Sequence, residues 1–69
     1  MKYIEIIKDI MIKNKLSQFS LAKIIGVNQT TISQWLLGKK HPSYESILIF
    51  YEKFGITPNM FFGIEEYFS

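Results

Sequence analysis

The sequence predicts an all-α fold, a compact bundle of five short helices. Three observations carry this. Apolar residues recur at intervals of three and four, no segment alternates between hairpin turns as a strand would, and the punctuation falls at helix ends. That punctuation consists of four glycines (26, 38, 55, 63) and two prolines (42, 58), each where a helix should stop or start. With 69 residues, the chain is read as one domain, 1–69. Its apolar fraction of 48%, including 16% aromatic residues, is high for so short a chain and has to be buried somewhere.

The first helix runs from Lys2 to about Asn14, with Ile4, Ile7, Ile10 and Met11 forming one apolar stripe and Ile6 and Ile12 lying off it. Ser17 offers an N-cap hydroxyl to a short helix from Gln18 to Ile25 that turns Leu21, Ala22 and Ile25 inward; Gly26 supplies the positive φ that ends it. Asn28 caps the third helix, about 29–37, which Gly38 closes. After the loop Lys39-Lys40-His41-Pro42, Ser43 caps a fourth helix through Phe54, its stripe read as Tyr44, Ile47, Leu48, Tyr51 and Phe54, with Gly55 as its stop. Thr57-Pro58 pairs an N-cap with proline at the first helical position, opening a short fifth helix through Phe62.

Composition narrows the function. Without cysteine, and with a single histidine (His41) and six carboxylates spread along the chain, no metal cage, cofactor site or catalytic constellation can be nominated, and an enzyme is not expected. No apolar run approaches the roughly 18 to 20 residues of a membrane span, and Met1-Lys2-Tyr3-Ile4-Glu5 lacks the pattern of a signal peptide, so a soluble cytoplasmic protein with no membrane partner is expected. No small-molecule ligand is indicated. The formal charge of +2 permits nucleic acid as a partner without indicating it. All eight cationic residues are lysines, which removes bidentate arginine reading of guanine.

The informative stretch is Gln18 to Leu37, two short helices joined by a tight turn at Gly26-Val27. Two helices crossing steeply need a small side chain where their backbones approach (Ala22) and a glycine where φ turns positive (Gly26). They also need apolar residues pinning both to one core, here Leu21, Ile25, Val27, Ile32 and Trp35. At about 100° per residue, Ile32, Trp35 and Leu36 share an inward arc while Thr30, Ser33, Gln34 and Leu37 point the other way, with Gln29 at the tip. A free face that is short, uncharged and hydrogen-bonding suits the DNA major groove, where glutamine pairs with adenine and Thr or Ser donates or accepts. Lys39 and Lys40, just after this helix, are the side chains best placed to neutralise phosphates.

From about Ile7 to Gly63 the chain resembles the helix-turn-helix family of phage repressors and Cro proteins, the Cro/C1-type or XRE-like regulators. The resemblance rests on the joint spacing of Leu16-Ser17-Gln18, Leu21-Ala22, Ile25-Gly26-Val27, Thr31-Ile32-Ser33-Gln34-Trp35, Gly38-Lys39, Pro42-Ser43 and Phe54-Gly55-Ile56. It implies that Gln29, Thr30 and Gln34 meet base edges, with Ser33 and Asn28 as neighbours reaching a base or a phosphate. Gln18 would bind a phosphate and brace the recognition helix. Double-stranded DNA is then the expected partner, the protein a regulator and more specifically a repressor. Relatives pair as two-fold dimers through the region corresponding to 58–69, where Met60, Ile64, Tyr67 and Phe68 are the candidate interface residues and Phe61 is expected to close the base of the bundle. The alternative is a protein-interaction module that keeps the fold, an antitoxin or anti-repressor.

Three departures from the family pattern stand out. Many relatives carry arginine at the position of Met11 and glutamate at that of Leu36, joined in a partly buried ion pair; both are apolar here and are expected to touch, since such a pair can be replaced by packed hydrophobes without desolvating either charge. Leu37 stands where a polar residue is usual, so either the third helix leaves the groove early or Leu37 contacts something else. Tyr51 replaces a residue that is usually small, which predicts a wider gap between helices one and four.

Overall fold

The structure is a computed structural model and describes residues 2–62. All regular structure in that range is helical: α1 (Lys2–Asn14), α2 (Gln18–Ile25), α3 (Gln29–Leu36), α4 (Tyr44–Phe54) and α5 (Pro58–Phe62). Helix α1 packs on α3 and α5, α2 on α3 and α4, and α4 on α5. Every element predicted from the sequence is present, and α3 stops one residue early, with Leu37 as its C-cap.

The caps explain these boundaries. Ser17 and Ser43 accept hydrogen bonds from the Ser20 and Ser46 backbone N–H groups at 3.1 and 3.2 Å, and Thr57 Oγ1 accepts from Met60 N–H at 3.2 Å. Helix α2 ends at Gly26 (φ +87°), where the N–H groups of Gly26 and Val27 both donate to the Ala22 carbonyl at 2.8 and 3.0 Å. At the end of α1 the same task falls to Lys15, at φ +54° the one non-glycine residue with positive φ among those described. Leu16 N–H then donates to Met11 C=O at 2.9 Å, and Asn14 Nδ2 to Ile10 C=O at 2.9 Å.

The core joins Ile7 and Ile10 of α1, Leu21, Ala22 and Ile25 of α2, Ile32 and Trp35 of α3, Ile47 and Phe50 of α4, and Phe61 of α5. Phe50 lies at its centre, its ring 6.1 Å from Trp35, 6.1 Å from Phe54 and 4.9 Å edge-on from Phe61. Phe61 is fully buried, as expected of the residue closing the base.

Two faces differ from the sequence reading. On α1 the most enclosed residues are Tyr3, Ile7 and Ile10, while Ile4 and Met11 are half-buried. On α4 the inward face is Ser46, Ile47 and Phe50, with Ile49 and Phe54 packed beside them; Tyr44, Leu48 and Tyr51 are exposed. Both candidate stripes of α4 have helical spacing and share Ile47 and Phe54, lying roughly a quarter of a turn apart, so the pattern alone could not choose. The choice is made by the rings of α3 and α5 that receive Phe50, and by the Ser43 hydroxyl, 3.1 Å from that of buried Ser46. Tyr51 therefore points outward.

Candidate nucleic-acid interface

The turn after α2 places the first residue of α2 beside the first turn of α3. Gln18, Gln29, Thr30 and Ser33 line one recess of about 280 Å³, with Gln29 and Thr30 exposed and Gln18 and Ser33 half-buried. Asn28 takes the N-cap backbone conformation (φ −76°, ψ 152°), and its carbonyl accepts from Thr31 and Ile32 N–H at 3.0 and 3.3 Å. Its side chain makes no capping hydrogen bond, so the amide at the electropositive end of α3 is left available.

Gln34 is half-buried and does not line this recess; its carbonyl accepts from Lys39 N–H at 2.9 Å, which folds the following loop back over the end of α3. Lys39 and Lys40 thus lie exposed at the C-terminal end of α3, and among the described residues neither is ion-paired. The loop is anchored from α1: Tyr3 Oη donates to Lys40 C=O at 3.4 Å, and the Tyr3 and His41 rings are 5.1 Å apart. Sequence reasoning missed this role of Tyr3, which becomes visible only once the fold brings the start of α1 against the loop. Leu37 is 66% exposed beside the loop.

The charge distribution along the sequence carries a further signal. No carboxylate occurs between Asp9 and Glu45, while five of the eight lysines do. The helix-turn-helix and its flanking loops are therefore built from cationic and neutral residues alone, as a surface facing phosphates requires. On the outer side of α2, Lys23 Nζ sits 4.9 Å from the centre of the Phe19 ring.

Behind the interface, Met11 and Leu36 are both half-buried and line one groove, where the family pattern would place an ion pair. Met60 is 38% exposed at the lip of another groove with Ile6 and Ile56. The other candidate interface residues, Ile64, Tyr67 and Phe68, lie outside the described residues. No helix among the described residues is long and apolar enough to cross a membrane.

Two helices crossing at a glycine turn, with the polar face of the second free beside a cationic loop, define a DNA-binding helix-turn-helix protein. The family model for helix-turn-helix proteins of the Cro/C1, XRE-like type matches residues 7–61, and the chain belongs to that family of DNA-binding regulators. No curated protein and no solved structure matches the chain.

Proposed function

We propose that the protein is a cytoplasmic transcriptional repressor, acting as a single DNA-binding domain that occupies a near-palindromic operator as a homodimer. The observation that carries this reading is the recess where Gln18 meets Gln29, Thr30 and Ser33, within a carboxylate-free stretch of the chain. In this reading α3 enters the major groove; Gln29, Thr30, Ser33 and Gln34 read base edges, and Gln18, Asn28, Lys39 and Lys40 hold phosphates. Two copies meeting through Met60 and the residues that follow, Ile64, Tyr67 and Phe68 among them, would set their recognition helices about 34 Å apart, one turn of DNA. No cofactor takes part.

Selection of bound sites from random duplexes tests this, repeated with Q29A, T30A and Q34A. Each substitution is expected to relax preference at one base position, at a cost of about 1–3 kcal/mol. Weaker binding with an unchanged preferred sequence would remove these residues from base reading. A second reading, a protein-interaction module, is favoured by the exposed stripe Tyr44, Leu48 and Tyr51 on α4. It predicts no sequence preference in the same selection.

A further inference from the structure

We infer that Leu37 is a specificity-determining residue, docking against the 5-methyl group of a thymine in the major groove. This rests on the proposed reading of α3 as the helix that enters that groove. Leu37 is the C-cap of α3 and keeps helical geometry (φ −85°, ψ −5°), its N–H donating to Ser33 C=O at 3.0 Å. At about 100° per residue it therefore projects within roughly 20° of Thr30, between Ser33 and Gln34, at the middle of the face assigned to base reading. One residue earlier, Leu36 packs against the core, whereas Leu37 is 66% exposed.

A single exposed leucine carries no functional meaning by itself. This one sits on an otherwise polar face, and the chain turns away directly after it. Gly38 takes φ +75°, its N–H donates to Trp35 C=O at 3.1 Å and Lys39 N–H donates to Gln34 C=O at 2.9 Å, so Leu37 is the last side chain of that face. Leu36, not Leu37, lines the groove shared with Met11.

Chemistry selects the occupant. Leucine neither donates nor accepts a hydrogen bond with its side chain. Base pairs display ring-nitrogen and carbonyl acceptors, amino donors and the thymine methyl in the major groove, and of these only the methyl is apolar. The other readers agree: Gln29 and Gln34 suit adenine, and the chain has no arginine to grip guanine. The half-site under α3 is then read chiefly at A·T pairs, through glutamine on adenine and Leu37 on a thymine methyl. Lys39 and Lys40, exposed just beyond Leu37, would hold the adjoining phosphates and press this end of α3 against the groove wall.

Site selection first supplies the preferred duplex. Each of its thymines is then replaced singly by deoxyuridine, which removes the methyl and keeps the base pair. Kd is measured by fluorescence anisotropy at fixed salt for the full chain, unaltered and as Leu37→Ala. At one thymine of a half-site the unaltered chain should lose about fourfold in affinity, the worth of one buried methyl. Leu37→Ala should start at least as much weaker, lose nothing further at that thymine and respond to the other replacements as the unaltered chain does. Its Tm should be nearly unchanged, since Leu37 lies outside the core. Three results would overturn the methyl contact while leaving DNA reading by Gln29, Thr30 and Gln34 standing: an unaltered chain indifferent to every thymine methyl, a variant that binds as tightly as the unaltered chain, or a weakened variant that keeps the same sensitivity to each methyl, as a contact with sugar or phosphate would give. A chain with no preferred duplex would overturn the proposed function, and this inference with it.

Discussion

Phe50 touches ring partners from α3 and α5 and has no exposed surface, so at the scale of single residues it is the position on which the bundle depends most. Phe50→Ala should cost about 3–5 kcal/mol, a large part of what a domain of this size has, and should abolish cooperative melting. Its neighbour in sequence, Tyr51, is 55% exposed, and Tyr51→Ala should stay within about 0.5 kcal/mol. Lys15 holds a left-handed conformation that costs an L-residue about 1–2 kcal/mol, part of which glycine returns as extra freedom of the unfolded chain. Lys15→Gly should therefore stabilise by about 0.5–1 kcal/mol, seen as a rise of several degrees in Tm; an unchanged or lowered Tm would show that the turn is unstrained. Met11 and Leu36 line the same groove, so Met11→Arg alone introduces a charge without its partner, while adding Leu36→Glu supplies one. The double variant should be more stable than the sum of the two single effects predicts, and near-additive melting would contradict that coupling.

At the scale of elements, the three N-caps of the longer interior helices divide by what their side chains bond. Ser17 and Ser43 each accept from a backbone N–H; Asn28 has the cap backbone geometry without the bond. Ser17→Ala and Ser43→Ala should each lower stability by about 1 kcal/mol, and Asn28→Ala by less than about 0.5 kcal/mol. If Asn28 instead reaches a phosphate, Asn28→Ala should weaken DNA binding while leaving Tm nearly unchanged, so melting and binding of the same three variants separate the roles. Helix boundaries were legible because serine, threonine, proline and glycine act within a few residues of themselves. The orientation of α4 was not, because Tyr44, Leu48 and Tyr51 are as apolar and as helically spaced as Ile47, Phe50 and Phe54. Only the arrival of Trp35 and Phe61 from elsewhere in the chain makes one stripe the inner one.

For the whole molecule, charge placement matters more than the net +2. The cationic stretch between Asp9 and Glu45 contains both helices of the DNA-binding motif, and the carboxylates fall outside it. If each copy neutralises about three phosphates, operator binding by the dimer should weaken with salt at a log–log slope of roughly −5, and by a single copy at roughly −3. A slope near zero would remove Lys39 and Lys40 from the phosphate contact.

The sequence by itself determined the class of fold, the five helices with their caps, the glycine turn and the free polar face of the third helix, since each depends on local backbone preference and spacing. Tertiary structure decided which stripe of α4 is core, how Tyr3 anchors the lysine loop, and that Gln18, Gln29, Thr30 and Ser33 share one recess while Gln34 stands apart. Those outcomes depend on how helices distant in sequence pack together, and hydrophobic burial, being non-directional, leaves that packing open until the partners meet.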